Sequence, residues 1–476
     1  MYDVIIIGAG VVGSFVARTL SKYDLNVLVI EKNNDVGDET SMANSAIVHS
    51  GYDPHVGTLK AKLNVLGNKM FDQVCEELDV SMQKIGSITI AINENQIDQL
   101  YELLENGKQN GVDVRILEKD ELFEMEPFAT KKAIKALLAK DAGIINPFEL
   151  VVALMENAMD NGVKLHLNEK VIDIKKANNY LVQTDKDTYE TKVVINAAGV
   201  YSDEINNMIM NKKEQILPRR GQYYVLDHFS SPYVTHTLFS LPTERGKGVL
   251  VSPTTSGNYL VGPSSDFIDD KEDKDTTSDV LASVISQAYD LVDYLPMKEQ
   301  IREFSGIRAY HQSGDFVINE KDGFINLLGI QSPGLASSPA IALEALELVK
   351  KNLTLKEKNN YNPLRRKVIR PNKLSNEERN QLIKDNPDYG LIVCHCEKVS
   401  LGEIKDAIHR NAGAHTIKGV KKRVRAGFGR CQGGYCQAVV ADILAKELKI
   451  KFNDVLFSNN GSNILDEEIG GQKDEK

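Results

Sequence analysis

"DVIIIGAGVVG" at residues 3–13 decides the fold of the N-terminal part, because a β-branched run leads directly into Gly8, Gly10 and Gly13. This order predicts a strand, a tight turn and a helix. The next apolar run ends at Glu31, near the position where such units carry an acid that binds ribose hydroxyls. Glycines in this spacing let the backbone approach a pyrophosphate at the helix N-terminus. The stretch therefore predicts a dinucleotide-binding unit.

Composition limits the remaining possibilities. A chain of 476 residues predicts more than one domain, and 42% apolar with 26% charged residues is typical of a folded globular protein. Its apolar runs are too short for a membrane helix, and the apolar start lacks a basic leader, so we expect a cytoplasmic protein without an integral membrane segment. A net charge of −10 argues against nucleic-acid binding. Small molecules and proteins are the expected partners.

Five further stretches resemble one family in the order that the family has them. "DETSMANSAIVHSGYDPHVGTLKAKLNVLGN" is similar to the D-amino-acid-oxidase-like FAD-dependent oxidoreductases, and within them to L-2-hydroxyglutarate and anaerobic glycerol-3-phosphate dehydrogenases. The other stretches are "VVINAAGVYSDEI" (193–205), "PRRGQYYVL" (218–226), "SGIRAY" (305–310) and "GIQSPGLASSPAIA" (329–342). The likeness covers nearly the whole chain and is specific for the family rather than for one substrate.

The resemblance implies an α/β Rossmann-like FAD-binding domain with an inserted α+β antiparallel-sheet substrate domain. We expect a discontinuous FAD-binding domain at 1–82, 139–215 and 301–365, and a substrate-binding domain at 83–138 and 216–300. The implied cofactor-binding residues are Gly8, Gly10, Gly13, Glu31, Lys32, Thr40, Ser41, Asn44, Ser45, Val171, Ala198, Gly199, Gly334 and Leu335.

Three residues are candidates for the chemistry of the substrate. His49 has a side chain whose ordinary pKa suits a general base, although it could equally hydrogen-bond or pack beneath the flavin. Arg308 is expected to bind a carboxylate or phosphate through its planar fork, with a structural salt bridge as the alternative. Arg220 is a second candidate anion contact, and Tyr223 a candidate pocket residue.

The last hundred residues hold four of the five cysteines. We expect a linker at 366–390, a small helical module at 391–450 and a polar tail at 451–476. Two capping boxes, Ser375 with Glu378 and Ser400 with Glu403, predict short helices. The cysteines form a C-x-C and a C-x₄-C pair on loops beside helix N-termini, where anionic sulfur is stabilised. Structural zinc, disulfides or inert thiols, and a 2Fe-2S cluster are the three interpretations.

The cysteine pattern resembles the bacterioferritin-associated-ferredoxin-like domain, through "CHCEKV" and "GFGRCQGGYC". The resemblance implies a 2Fe-2S cluster whose ligands are Cys394, Cys396, Cys431 and Cys436. His395 stands where that family commonly has arginine, which leaves the ligand set whole. Cys75 lies in the apolar pattern of a helix and is expected in the core.

Together the two resemblances imply an electron route. A flavin takes two electrons as a hydride and a 2Fe-2S cluster passes one at a time. We therefore expect a dehydrogenase of a small anionic 2-hydroxy compound, glycerol 3-phosphate ahead of L-2-hydroxyglutarate, with a redox protein partner. An electron-transfer subunit with an inactive pocket is the alternative. "TIKGVKKRVRAGFGR" (416–430) carries six basic residues and no acid, and is either a solvated loop or a docking patch for an acidic partner.

Overall fold

The computed structural model describes residues 1–242 and 248–465. The chain divides into two compact units. The first comprises Met1–Glu31 and Gly37–Arg365, and the second comprises Lys32–Val36 and the described residues from Arg366 onward. Within the described ranges, no helix has the length and apolar character that crossing a membrane requires.

The strands are numbered in chain order. They are β1 (Tyr2–Ile7), β2 (Val27–Ile30), β3 (Ile47–Val48), β4 (Met82–Gln83), β5 (Ser87–Ala91), β6 (Val114–Glu118), β7 (Lys135–Ala139), β8 (Gly143–Ile145), β9 (Lys164–His166), β10 (Val171–Lys176), β11 (Tyr180–Thr184), β12 (Thr188–Asn196), β13 (Ile216–Leu226), β14 (Thr237–Ser240), β15 (Leu250–Pro253), β16 (Tyr259–Gly262), β17 (Asp266–Phe267), β18 (Gln300–His311), β19 (Val317–Lys321), β20 (Phe324–Leu328), β21 (Ile392–Cys394) and β22 (Val399–Ser400).

The α-helices are numbered in the same way. They are α1 (Val11–Ser21), α2 (Leu59–Leu78), α3 (Ile97–Gln109), α4 (Lys119–Met125), α5 (Pro147–Asp160), α6 (Ser202–Ile209), α7 (Ser278–Ala288), α8 (Gly334–Lys350), α9 (Asn376–Asp385), α10 (Leu401–His409), α11 (Ile417–Val424) and α12 (Gln437–Leu448).

One sheet of the first unit has eight strands in the order β10-β11-β12-β1-β2-β9, with β20 beside β12 and β19 beside β20. β1 pairs in parallel with β2 and with β12. Val4, Ile5 and Ile6 at its centre are fully buried, which explains the continuous apolar run in the sequence. Helices α1, α5 and α8 pack together beside this sheet. The predicted strand, glycine turn and helix at the N-terminus are present.

The second sheet of this unit has nine strands, in the order β17-β13-β16-β15-β14-β5-β7-β6, with β18 along β13. β13 and β18 are antiparallel and pair from Ile216 with His311 to Leu226 with Gln300. The sequence-based boundary placed residues 301–365 in the FAD-binding domain, whereas the strand Gln300–His311 is part of this mixed sheet. The pairing of β18 with β13 places this strand in the second sheet. A local sequence pattern does not reveal such pairing, because the two strands are far apart in the sequence.

The second unit has its own core. Cys394, Ile404, Val420 and Leu444 are buried at its centre with residues of α10, α11 and α12. Both predicted capping boxes are present, at the starts of α9 and α10. The predicted linker 366–390 differs from the structure, because it contains α9, and Tyr389 packs against Gly402.

The predicted polar tail 451–476 also differs in part. Val455 is fully buried in the core of the second unit, and Leu456 pairs with Asn463 in a short bridge. The Lys418 backbone N–H donates to the Phe457 carbonyl oxygen. The polar composition of residues 451–476 did not indicate that Val455 is buried or that its neighbours pair with other residues of the unit. Residues 466–476 lie outside the described residues.

Candidate active site and cysteine-bearing loops

The turn between β1 and α1 has no room for a side chain at Gly8 or at Gly13. Gly8 has a φ of +104°, and a Cβ there would lie 2.6 Å from the Ala197 carbonyl oxygen. A Cβ on Gly13 would lie 2.0 Å from the Gly8 carbonyl oxygen. Side chains fit at neither position, so the backbone at the start of α1 stays accessible. Such a turn fits the pyrophosphate of a dinucleotide.

Two predicted cofactor residues support this turn. Glu31 is buried, and its Oε2 accepts a hydrogen bond of 2.8 Å from the Ala9 backbone N–H. Ser41 Oγ accepts a hydrogen bond of 2.8 Å from the Val11 backbone N–H at the first residue of α1. A Cβ on Gly10 would lie 3.1 Å from the same Ser41 oxygen. The structure thus brings Gly8, Gly10, Gly13, Glu31 and Ser41 together.

The segment after Glu39 connects this turn with the nine-stranded sheet. Thr40 Oγ1 donates to the Ile307 carbonyl oxygen at 2.6 Å. Asn44 Nδ2 donates to the carbonyl oxygens of Thr40 and Ser41 at 3.1 and 2.8 Å. The Ser45 and Tyr223 hydroxyl oxygens are 3.0 Å apart. Thr40, Ser41, Asn44 and Ser45 therefore form one hydrogen-bonded loop that reaches strands β13 and β18.

The remaining predicted cofactor residues lie at other places. Val171 is buried in β10, and Ala198 with Gly199 follows β12 at a short 3₁₀ turn. Gly334 and Leu335 begin α8. Lys32 differs from the others, because it belongs to the second unit rather than to the unit that contains Gly8.

His49 follows β3 and is buried, with 8% of its surface exposed. Its backbone carbonyl oxygen accepts hydrogen bonds from Nδ2 of Asn64 at 2.6 Å and of Asn68 at 3.2 Å, both on α2. Its ring centroid is 5.9 Å from that of Phe239 in β14. The residue is thus held by α2 and packs against the nine-stranded sheet.

Arg308 is a half-buried cation on β18. Its Nη2 donates to the Ser264 carbonyl oxygen at 2.5 Å. It forms no ion pair with a carboxylate among the residues that the structure describes. Burial lowers its pKa, while the charge of Asp266 and the phenol of Tyr223 act in the opposite direction. A guanidinium stays charged even so, and partial loss of its hydration without an ion-pair partner costs free energy that a bound anion would offset.

The two arginines of "PRRGQ" lie on opposite faces of β13. Arg219 pairs in register with Arg308, whereas Arg220 pairs with Ile307. Successive residues of a strand point to opposite faces, so Arg219 shares the face of Arg308 and Arg220 does not. Arg220 Nη1 instead forms an ion pair of 2.6 Å with Asp273 Oδ1. The prediction that Arg220 is a second contact to the same anion is therefore corrected.

Arg219 is the residue that sequence reasoning missed. Its Nε donates to Ser265 Oγ at 2.7 Å, and its guanidinium lies 5.5 and 5.8 Å from the rings of Phe267 and Tyr310. Burial lowers the pKa of Arg219 to about 10, and the charge of Arg308 adds to this effect. Period-two alternation was the signal that could have separated Arg219 from Arg220, but it needs the register with β18.

The four cysteines of the second unit meet as two pairs. Sγ of Cys396 and Sγ of Cys431 are 3.6 Å apart, and the thiols of Cys394 and Cys436 are hydrogen-bonding partners. In the described part of the chain, no three His, Cys, Asp or Glu side chains converge on one metal position. Structural zinc would need four thiolates around one ion, whereas a 2Fe-2S cluster needs two for each iron. The pairs fit the cluster.

Backbone N–H groups surround two of these sulfurs. Burial opposes ionisation of Cys431, but the N–H groups of Tyr435, Gly433 and Gly434 lower the pKa of its thiol. The pKa of Cys394 falls to about 5, chiefly through the hydrogen bond with Cys436. Thiolate is the form that binds iron, and the loop N–H groups favour it at Cys431. The low pKa of Cys394 is coupled to Cys436, whose pKa the same hydrogen bond raises.

The basic stretch 416–430 is not simply a solvated loop or a free patch. The side chains of Lys422 and Arg423 are buried and form ion pairs with Asp35, at 2.7 Å from Nζ to Oδ2 and 2.8 Å from Nη2 to Oδ1. Arg425 Nε forms an ion pair of 2.7 Å with Glu397 Oε2. Three of the six basic residues in this stretch therefore form ion pairs within the second unit. For these three, the sequence-based interpretations of a solvated loop and of a docking patch are both corrected.

Family models match most of the chain. A model described as FAD-dependent oxidoreductase, DAO, matches residues 3–348. A second model, BFD-like [2Fe-2S] binding domain, matches residues 392–446. The first match contains the glycine turn, His49 and Arg308, and the second contains all four paired cysteines.

Three known proteins are similar to this chain over most of its length. The chain is 48% identical over 472 residues to a glycerol 3-phosphate dehydrogenase of Caloramator mitchellensis, covering 98% of each chain. It is 29% identical over 397 residues to a mitochondrial L-2-hydroxyglutarate dehydrogenase of Arabidopsis thaliana, covering 71% of this chain and 82% of that protein. A solved structure of FAD-bound L-α-glycerophosphate oxidase from Mycoplasma pneumoniae matches with a TM-score of 0.73 and 33% identity, over 76% of this chain and 98% of that one. The chain therefore belongs to the DAO family of FAD-dependent oxidoreductases and carries a C-terminal BFD-like [2Fe-2S] domain.

Proposed function

We propose that this enzyme oxidises glycerol 3-phosphate to dihydroxyacetone phosphate. The observation that carries the proposal is Arg308, a half-buried cation that has no carboxylate ion-pair partner among the described residues. The phosphate of the substrate supplies the missing negative charge. Relatives described as glycerol 3-phosphate dehydrogenase and glycerol 3-phosphate oxidase favour a phosphate ester over a carboxylic acid.

When bound, FAD would supply a two-electron acceptor for the hydride of the carbinol carbon, and a 2Fe-2S cluster would supply one-electron transfer to a redox protein. The proposed FAD contacts are the glycines of the N-terminal turn and the two residues that support it, namely Gly8, Gly10, Gly13, Glu31 and Ser41. Cys394, Cys396, Cys431 and Cys436 are the proposed cluster ligands.

The chain's own residues bind the substrate and move its proton. Arg308 binds the phosphate, since a guanidinium makes two parallel hydrogen bonds to a phosphate. The hydroxyl groups of Ser45 and Tyr223 lie on the same side of the sheet as Arg308 and orient the glycerol part. His49 removes the hydroxyl proton, because oxidation of the carbinol carbon leaves that oxygen as a carbonyl.

The direct test is anaerobic mixing of the oxidised enzyme with glycerol 3-phosphate, L-2-hydroxyglutarate or glycerol, followed by absorbance of the flavin. We expect glycerol 3-phosphate to bleach the flavin at low concentration. Glycerol is the matched neutral control and should bleach it poorly, because it gives Arg308 no anion. Equal bleaching by glycerol would contradict the role of Arg308.

The same experiment separates the two alternatives. The flavin of a 2-hydroxy acid dehydrogenase would be bleached by L-2-hydroxyglutarate and not by glycerol 3-phosphate. Several relatives at 27–30% identity are described as L-2-hydroxyglutarate dehydrogenases. An electron-transfer subunit with an inactive pocket would be bleached by none of the three compounds. These two alternatives are distinguishable, because L-2-hydroxyglutarate would bleach the flavin only of a 2-hydroxy acid dehydrogenase.

Electron delivery is tested separately. Cys431→Ser should leave bleaching by substrate intact but slow reduction of a one-electron acceptor protein, because the variant alters only the proposed cluster. The flavin content of the variant is the control for folding. A variant with an unchanged cluster spectrum and full transfer to the acceptor would remove Cys431 from the ligands.

A further inference from the structure

The four cysteines differ in access to solvent. Cys394 and Cys436 are 1% and 3% exposed. Cys396 is exposed, and Cys431 is of intermediate exposure. Tyr435, between the last two cysteines of the sequence, is 86% exposed. The cysteine set thus has a buried side and a solvent side.

The spatial pairs do not follow the sequence. Each pair takes one cysteine from the C-x-C segment and one from the C-x₄-C segment, namely Cys394 with Cys436 and Cys396 with Cys431. A metal with thiolate ligands at about 2.3 Å in tetrahedral geometry separates two of its sulfurs by about 3.8 Å. The distance of 3.6 Å between Sγ of Cys396 and Sγ of Cys431 is close to that sulfur–sulfur separation.

Local structure explains the pairing. Cys394 ends β21 and Cys436 caps α12, and both side chains lie in the core of the second unit. Cys396 follows two residues later on the outside, against the loop before Cys431. A Cβ on Gly429 would lie 2.4 Å from the Cβ of Cys396, so this loop approaches Cys396 as closely as it does only because position 429 is glycine.

We propose that Cys394 and Cys436 hold one iron of the cluster and that Cys396 and Cys431 hold the other. The first is an inner iron, and the second is an outer iron on the side of Tyr435. Because Cys396 and Cys431 are the two cysteines that solvent reaches, the outer iron would lie on the solvent side of the cluster. The inference rests on the cluster of the proposed function but not on its substrate.

The test uses the full-length holoprotein and its four single Cys→Ser variants. Each is reduced with dithionite and measured by electron paramagnetic resonance and by redox titration of the cluster. We expect two spectral classes, with Cys396→Ser and Cys431→Ser in one and Cys394→Ser and Cys436→Ser in the other. Cys75→Ser is the control and should match the wild type. Classes that group Cys394→Ser with Cys396→Ser would overturn the pairing.

A second measurement covers variants that lose the cluster. The wild-type holoprotein is oxidised until the cluster is released, digested without reduction, and its disulfides are mapped by mass spectrometry. We expect links between Cys396 and Cys431 and between Cys394 and Cys436. Links within either sequence segment, or no link in the expected pairs, would overturn the proposal. Neither measurement uses glycerol 3-phosphate, so a failed substrate assignment leaves this result readable on its own.

Discussion

Gly221 lies beside Arg308 so closely that a Cβ at position 221 would be 2.3 Å from Nη2 of Arg308. The absence of a side chain on β13 is therefore what allows the guanidinium to lie across the strand and reach the Ser264 carbonyl oxygen. Arg308 and Gly221 act as one feature of the proposed anion site.

The first prediction is that Gly221→Ala weakens binding of glycerol 3-phosphate. The added methyl group displaces the guanidinium, and the loss of a charged hydrogen bond costs about 1.5–3 kcal/mol. The Kd or KM should therefore rise about 10- to 150-fold. Flavin content of the variant is the control, because position 221 is not among the proposed FAD contacts. Unchanged substrate affinity would contradict this placement of Arg308.

Arg308→Lys and Arg220→Lys should differ sharply in substrate affinity. The first retains charge but loses the planar fork, so the Kd should rise by the same 10- to 150-fold range, about 1.5–3 kcal/mol. The second keeps a cation opposite Asp273 on the other face of β13 and should bind substrate almost as the wild type does. Equal losses in both variants would restore Arg220 as an anion contact.

His49→Ala should act on the chemical step rather than on binding. Loss of a general base lowers the rate of flavin reduction by about 10²–10⁴-fold. Stopped-flow absorbance with saturating glycerol 3-phosphate measures that rate. His228→Ala is the matched control, since Nε2 of this histidine lies 3.2 Å from Oδ1 of Asn258, in the loops beside β13 and β16. A rate reduced less than about tenfold would leave His49 with a packing role only.

Tyr223→Phe should weaken substrate binding without changing the pH profile. Burial raises the pKa of the Tyr223 phenol, against the opposing charge of Arg308, so the phenol stays protonated through neutral pH. Removing one neutral hydrogen bond costs about 0.5–1.5 kcal/mol, or about 2- to 12-fold in Kd. The profile of flavin reduction between pH 6 and pH 9 should keep its shape. An ionisation step that disappears in the variant would show that Tyr223 titrates.

Asp35→Asn should destabilise the second unit at neutral pH. Although burial opposes ionisation, the charges of Arg423 and Lys422 hold the pKa of Asp35 well below its usual range. Breaking a buried ion pair costs about 3–5 kcal/mol. The stability that Asp35 adds is present above the unfolded pKa of about 3.9 and is lost as the pH falls below it.

Urea unfolding at several pH values, followed by circular dichroism, measures this loss. The difference between wild type and Asp35→Asn should be full at pH 7 and shrink below about pH 4. Asp442→Asn is the matched control, because its ion pair with Lys446 is exposed and such pairs contribute about 0–1 kcal/mol. A difference that persisted unchanged at pH 3 would assign the effect to packing rather than to charge.

The sequence by itself determined the features whose geometry is local. The glycines before α1 and the two capping boxes depend on residues a few positions apart, and both are present in the structure. The four cysteines could also be grouped from the sequence, because the C-x-C and C-x₄-C segments are short. Such spacing acts within one turn of backbone and needs no distant partner.

Tertiary structure alone decided which neighbours these residues meet. Strand register placed Arg219 rather than Arg220 beside Arg308, because adjacent residues of a strand differ by a whole face. Packing paired each cysteine with one from the other segment. It also joined Arg423 to Asp35, 388 positions away, and so used part of the basic stretch inside the second unit. Each depends on contacts distant in sequence, which no local pattern encodes.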